Sequence, residues 1–359
     1  MPAKVTVLSP NETSLKQDLE HILLHTRELW DELRGRNIFI TGGTGFFGRW
    51  LLESFAYANR ALRLDASVTV LSRDPQAFSE KAPRLTSNPA IHFVTGDVRK
   101  LTAADLPSAR FDFVIHAATE ASAKLNAENP LLMLDTIVEG TRAALEFAAA
   151  VGARRFLLTS SGAVYGPQPS GLTHIPEDYL GGPDCTQLGS AYGEGKRMAE
   201  LLCAGYAKDR GLQPVIARCF AFVGPFLPLN AHFAIGNFIR DALAGGPIRV
   251  GGDGTPFRSY LYAADLAIWL WTILFKGEPM RPYNVGSTND LTIAELAQTV
   301  RMTVNEKVDV IIAQEAKTGV GPARYVPANA RATNELHLAE TVDLVSALRK
   351  TARFALPNE

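Results

Sequence analysis

Cysteine is scarce: Cys185, Cys203 and Cys219 are the three in a chain of 359 residues. An odd number without metal-ligand spacing argues against a disulfide framework or a zinc site, so no metal is expected. Reduced thiols in a cytoplasm fit better. Long apolar runs are missing too. None approaches the ~18 residues of a membrane span, and the N-terminus has no charged-then-apolar leader pattern. A cytoplasmic protein without membrane association is the expectation. Charge of one sign is equally lacking. With 36 basic and 37 acidic residues the formal net charge is −1, which gives no electrostatic basis for binding nucleic acid or an anionic membrane. Repeats and low-complexity segments do not occur. What remains is an ordinary globular composition, 47% hydrophobic and 20% charged, in a chain long enough for one large α/β domain with a smaller lobe.

Three stretches organise the chain. In residues 1–35 the apolar positions Leu15, Leu19, Ile22, Leu23, Leu29, Trp30 and Leu33 follow a helical period. This predicts a helical extension packed on the main body or on a partner subunit. In residues 36–222, short apolar segments at 37–41, 67–72, 91–95, 111–116, 155–160 and 213–219 alternate with longer periodic ones at 47–60, 131–151 and 192–209. Such alternation predicts a parallel, doubly wound α/β sheet with right-handed crossovers. Residues 223–359 turn to Pro/Gly-rich connections with a short strand at 248–250 and a helix over 291–303. They read as a smaller lobe interleaved with the sheet.

A glycine fingerprint, Thr41-Gly42-Gly43-Thr44-Gly45-Phe46-Phe47-Gly48, follows the first strand and opens the first long helix. In that setting the glycines allow a tight turn and a close backbone approach to a pyrophosphate at the helix N-terminus. Gly42, Thr44, Gly45, Phe46, Phe47 and Gly48 are therefore the expected dinucleotide cradle. At the end of the second strand an NAD site usually carries an acid for the ribose 2′-hydroxyl. Here Ser72 and Arg73 stand there, a hydroxyl and a guanidinium suited to a 2′-phosphate. NADP is thus favoured over NAD, with Asp74 left as an alternative ribose ligand if the strand ends one residue later. Asp97 and Val98 follow the third strand, beside the expected adenine. Ala117 and Ala118 end the fourth, beside the cofactor's middle, and His116 reads as a packed strand-end residue.

Further on, Tyr192 and Lys196 stand four residues apart, on one face of a helix. An amine held near a phenol favours the phenolate and makes the tyrosine a usable acid/base near neutral pH. Downstream of a dinucleotide cradle, the pair points to hydride chemistry at a carbinol or ketone.

At this point the motifs match a family. TGGTGFFG, GDV, FDFVIHAA, TSSGAVYG, YGEGK, VGP, NFI, GDGTPFRSYLYAADL and YNVGS occur in order. From about Asn37 to Leu336 the chain resembles the extended short-chain dehydrogenase/reductases, in their nucleotide-sugar epimerase/dehydratase group. The details around Tyr192, Asn237 and Arg258 look closest to the UDP-sugar 4-epimerase and UDP-glucuronate decarboxylase branches. The resemblance implies a Rossmann-type sheet, a nucleotide-diphosphate sugar as substrate, and a homodimer formed through the helices at 131–151 and 192–209. It implies that Ser161 joins Tyr192 at the reacting sugar oxygen and that Lys196 also holds the nicotinamide ribose. Asn237 and Phe238 match the segment meeting the nucleotide and diphosphate, Val250 the position packed on the base, and Arg258 and Arg324 the phosphate-binding arginines.

Three departures bear on the reaction. Dehydratases and decarboxylases of this family carry an acidic pair after the catalytic Ser/Thr, where this chain has Gly162 and Ala163. Without a carboxyl group, proton removal at C5 lacks an obvious acid/base, unless Glu120 or Glu177 substitutes from another loop. Ala221 and Ile137 replace family asparagines and leave the sugar open. A 4-epimerase is the first expectation and an NADPH-dependent 4-keto-sugar reductase the second. A 4,6-dehydratase or decarboxylase comes third, and a non-catalytic cofactor sensor last.

Overall fold

The computed structural model describes residues 10–106, 110–119, 123–231, 233–316, 319 and 321–356. Its centre is a seven-stranded sheet: β1 (Asn37–Thr41), β2 (Ser67–Ser72), β3 (Ile91–Thr95), β4 (Phe113–His116), β5 (Arg155–Ser161), β6 (Gln213–Cys219) and β7 (Pro282–Val285). The order is β3-β2-β1-β4-β5-β6-β7, with every pair parallel. Strand order reverses between β1 and β4, and the crevice beyond their C-terminal ends is where such sheets bind ligands. β7 was not visible in the sequence, because Pro282–Val285 is short and lies inside the stretch read as the smaller lobe.

The strands are nearly continuous apolar runs because both faces are covered. Ile38, Ile40, Phe113, Ile115, Leu157 and Val215 point to one side, into a core shared with α2 (Phe46–Leu62) and α6 (Ala263–Lys276). Phe39, Val114, Phe156 and Leu158 point to the other, against α3 (Pro130–Ala150) and α4 (Ala191–Arg210). α3 starts cleanly: Asn129 caps the Leu132 N–H at 3.2 Å and Pro130 sits at the first position. On its outer side, Leu131 and Leu132 stay exposed, as do Met198 and Leu201 of α4.

α6 explains the N-terminal extension. Every residue from Ala263 to Phe275 is buried, so this helix is apolar all round and needs cover on the side away from the sheet. α1 (Pro10–Thr26) and the 3-10 turn Arg27–Leu33 supply that cover. Trp30 packs tilted against Trp271 of α6, ring centres 4.8 Å apart, and donates its indole N–H to Thr26 at 2.9 Å. Asp18, nearly sealed from solvent, accepts from the Tyr262 hydroxyl at 2.6 Å and from Lys350 at 2.5 Å. The extension packs on the main body and reaches α7 (Leu344–Ala355), which carries Lys350.

The remaining C-terminal elements stand over the open end of the sheet. α5 (Ala234–Leu243) and a three-stranded sheet of Leu291–Thr292, Phe257–Arg258 and Arg324–Tyr325 form this lobe. Among the described residues no helix is long and apolar enough to cross a membrane.

If the extension is part of the core, Trp30→Ala should cost ~3–5 kcal/mol, as for other fully buried aromatics. Urea unfolding of the variant measures this, and a loss below ~1 kcal/mol would mean that the extension is dispensable.

Candidate active site

The fingerprint turn is held together by backbone. Gly42 has φ 73°, and a Cβ there would lie 2.5 Å from the Ala117 carbonyl and the Ala118 nitrogen. A Cβ on Gly48 would lie 2.3 Å from Gly43 Cα. Both positions tolerate nothing larger. Gly45, just before α2, differs: a Cβ there meets only the Gly42 oxygen at 3.5 Å. The α2 N-terminus thus faces open space, with backbone N–H groups available to a phosphate.

A cavity of about 260 Å³ continues from this turn. Thr41, Gly42, Thr44, Gly45, Ser72, Arg73, Asp97, Val98, Ala117 and Ala118 line it, together with Arg99 and Thr119, which the sequence reading had passed over. Phe46 and Phe47 open α2 and are partly buried against the core. Asp74 turns away from the ribose role: its carboxylate accepts from the Ala77 N–H at 2.9 Å and caps the helix Pro75–Lys81. Its own N–H donates to the Ser72 hydroxyl at 3.2 Å. Asp97 is clamped by Arg99, with a contact of 2.6 Å. That pairing, helped by Arg73, holds the Asp97 carboxyl down to about 2. The cavity rim therefore carries two guanidiniums and one neutralised carboxylate.

Beyond Ala118 lie the three residues expected to do acid/base chemistry. Ser161 ends β5 and its hydroxyl accepts from the Ala163 N–H at 3.1 Å. Tyr192 and Lys196 sit on α4, where the Tyr192 N–H donates to Asn126 at 3.1 Å. The Lys196 amine lies 6.0 Å from the Tyr192 ring centre, and the Ser161 hydroxyl is close enough to act on the Tyr192 phenol. Ser161, Tyr192 and Lys196 are brought together. The electrostatics depart from expectation, however. Burial pushes the Tyr192 phenol up, with the Ser161 hydroxyl opposing. Burial also pulls Lys196 down to about 8. The Lys196 amine donates to Thr119 and to the Thr159 carbonyl, both at 2.7 Å. Desolvation outweighs the Ser161 hydroxyl in this arrangement.

In the C-terminal lobe the two arginines separate. Tyr325 pairs with Arg258 in register and Arg324 with Phe257. Because side chains alternate along a strand, Arg258 and Tyr325 share one face and Arg324 takes the other. Arg258 lies 5.8 Å from the Tyr325 ring centre, and the Tyr325 hydroxyl lies 3.4 Å from Ser161 Oγ. Arg324 pairs with Asp290 at 2.6 Å and stacks on Phe257. The structure thus brings Arg258 toward the reacting end and not Arg324. Phe238 and Val250 are closed into the lobe's core, and Asn237, half-buried, accepts from Arg240 at 3.2 Å. Tyr325 does not stand out in the sequence because its role depends on register; strand alternation next to Arg324 was the available signal.

Neither substitute carboxylate is shown at the site. Glu177 is buried and accepts from the Asn284 N–H at 3.0 Å. It belongs to a chain of polar contacts: Arg218 donates to the Glu177 carbonyl, to Tyr165 and to Glu200, and Glu200 accepts from Ser160. Glu120 lies outside the described residues.

The sequence comparisons name the family to which this geometry belongs. Residues 38–286 match the model of the NAD dependent epimerase/dehydratase family. The chain belongs to that family. It is 32% identical over 278 residues to UDP-glucuronic acid decarboxylase 2 of Arabidopsis thaliana, covering 77% of this chain and 59% of that protein. It is 31% identical over 274 residues to UDP-glucuronic acid decarboxylase 5 of the same plant, covering 76% of each. Among solved structures, the UDP-glucose 4-epimerase of Thermotoga maritima, determined with UDP-glucose, superposes with a TM-score of 0.75. That match has 21% identity and covers 89% of this chain and 98% of that one. The dTDP-glucose 4,6-dehydratase of Streptomyces venezuelae, determined with NAD bound, gives 0.74 at 25% identity, over 89% and 96%. An NAD-dependent family fits the glycine turn at Gly45 and the cavity that continues from it.

His116 supplies a test of the crevice wall. It is buried between Thr41 at 2.8 Å and Thr141 at 3.2 Å, and burial pulls it down to about 3. An unfolded chain takes up this proton near pH 6.5, whereas the folded one resists it until about 3. Stability from His116 is thus full above pH 6.5 and is lost as pH falls toward 3, at up to roughly 1.4 kcal/mol per unit. Denaturant unfolding between pH 7 and 4 should show a shallower loss for His116→Asn than for the unaltered protein, and equal slopes would refute the assignment.

Proposed function

We propose that this protein is a nucleotide-diphosphate-sugar 4-epimerase in which Tyr192 and Ser161 handle the proton of the sugar C4 oxygen. One observation carries the reading: among the described residues, no carboxylate stands beside the reacting centre. The residues after Ser161 are Gly162 and Ala163, and a side chain at Gly162 would meet the Phe220 ring at 2.6 Å and the Tyr325 hydroxyl at 2.8 Å. Hydroxyl groups suit proton exchange at an alcohol or ketone oxygen. They do not suit removal of a carbon-bound proton at C5, which dehydration requires.

The nicotinamide cofactor, when bound, supplies the hydride acceptor and donor. Tyr192 takes the C4 hydroxyl proton and returns it after the sugar has turned its other face. Ser161 hydrogen-bonds the same oxygen. Lys196 anchors the inner wall through Thr119 and the Thr159 carbonyl. Arg258 stands on the lobe face turned toward Ser161, a position suited to the diphosphate. Arg73 and Arg99 at the cavity rim favour NADP over NAD.

A decarboxylase reading is favoured by the curated relatives and by one chemical point. A uronic acid oxidised at C4 is a β-keto acid, which loses carbon dioxide without help from a carboxylate at C5. The exposed leucines of α3 and α4 support a homodimer through those helices; sedimentation as a monomer would exclude it.

Two measurements test the assignment. Mass analysis of the dinucleotide released on denaturation should find it stoichiometric and phosphorylated at the 2′-position; an empty protein that binds NADPH reversibly would point to a 4-keto-sugar reductase instead. Incubation with UDP-glucose, UDP-galactose and UDP-glucuronate should interconvert C4 epimers, and release of carbon dioxide from UDP-glucuronate would replace the epimerase by the decarboxylase. In either case Tyr192→Phe should lower turnover by a factor on the order of 100 or more while leaving cofactor affinity nearly intact, and an undiminished rate would remove Tyr192 from the chemistry.

A further inference from the structure

A serine hydroxyl has one proton to give and two lone pairs with which to accept. At Ser161 one lone pair is filled by the Ala163 N–H at 3.1 Å. The Tyr325 hydroxyl lies 3.4 Å from the same oxygen. Its ring is fixed between the Phe220 ring, 4.7 Å away, and the Arg258 guanidinium at 5.8 Å. Burial pushes the Tyr325 phenol far above its ordinary range, so it remains protonated and is able to donate. Gly162 leaves the space that this hydroxyl fills, since a Cβ there would lie 2.8 Å from it.

We propose that Tyr325 is a positioning residue: its hydroxyl donates to Ser161 and thereby turns the Ser161 proton toward Tyr192. The argument is one of saturation. With both lone pairs occupied, Ser161 has only its own proton left to offer. The Tyr192 oxygen facing it must then accept, which favours the phenolate over the phenol. This supplies the stabilisation that Lys196 does not give here, its amine being held by Thr119 and the Thr159 carbonyl. It also links the lobes, because Tyr325 belongs to the small sheet that carries Arg258. The inference rests on the reading of Ser161 and Tyr192 as the proton-handling pair.

The test is a pH titration of phenolate absorbance in the protein loaded with its dinucleotide, with no sugar present. Subtracting the same titration of Tyr192→Phe isolates Tyr192. Repeating the pair with Tyr325→Phe removes one hydroxyl and keeps the ring. Without that donor, Ser161 regains a free lone pair and accepts from the neutral Tyr192 phenol. The Tyr192 ionisation should therefore move up by about half to one pH unit, a roughly three- to tenfold loss of acidity. A Tyr192 transition unmoved by Tyr325→Phe, or outside the accessible range in both backgrounds, overturns the proposal. So does a shift that appears only in Tyr325→Leu, which would trace the effect to ring packing. Because no sugar is used, the result stands apart from which reaction the site performs. Where turnover is measurable, the Tyr325→Phe variant should lose kcat with KM steady, and the acid limb of its pH profile should move up in parallel. A rise in KM alone would instead make Tyr325 a binding contact and defeat the positioning role.

Discussion

The site depends on one steric constraint: three backbone segments touch with no side chain between them. Gly42 lies against Ala117 and Ala118, and Gly48 against Gly43. These contacts join the ends of β1 and β4 to the first turn of α2 at the point where strand order reverses. Everything that a dinucleotide needs follows from that approach, including the open helix N-terminus at Gly45 and the cavity running past Ala118. The same approach fixes where β4 ends, and so where Thr119 meets Lys196. Ser161, Tyr192 and Lys196 are thus located by a packing demand two strands away.

A second constraint is the buried polar chain behind β5 and β6. Glu200 on α4 accepts from Ser160 and from Arg218, Arg218 donates to Tyr165, and Tyr165 donates to Asn284 on β7. Such a network is costly unless every member is paired. Here the pairing fastens the turn after Ser161 to three strands and a helix. It also commits Glu177, which sequence reasoning had held in reserve as a catalytic carboxylate, to the Asn284 N–H. Burial raises the Glu177 carboxyl and pushes Tyr165 up to about 12, so the Tyr165 hydroxyl keeps its proton at neutral pH.

Much of this was legible because its signals are local. The fingerprint glycines, the apolar strands and the Tyr192/Lys196 spacing each act within one element or turn. The strand at Phe113–His116 came out two residues shorter than the apolar run from 111, and the segment from 291 splits into Leu291–Thr292 and a helix capped by Thr292. What sequence did not reveal depends on long-range pairing. Arg258 and Arg324 look equivalent as arginines near a phosphate site, yet register in a two-residue strand sends them to opposite faces. Tyr325 meets Ser161 across a separation of 164 residues. Spacing likewise predicts that an amine is near Tyr192, but not how much water has been removed.

The place of β7 has a consequence for synthesis. A nascent chain that has emerged only as far as Cys219 has β6 as a bare outer strand, its hydrogen-bonding groups unpaired along one side. Its partner begins at Pro282, about 60 residues later, or roughly 3–12 s at ~5–20 residues per second. During that interval the cofactor half has neither its closing strand nor α6 over its face. Translation therefore delivers a sheet with a temporary adhesive edge, open to another copy of the same chain until Pro282–Val285 has emerged.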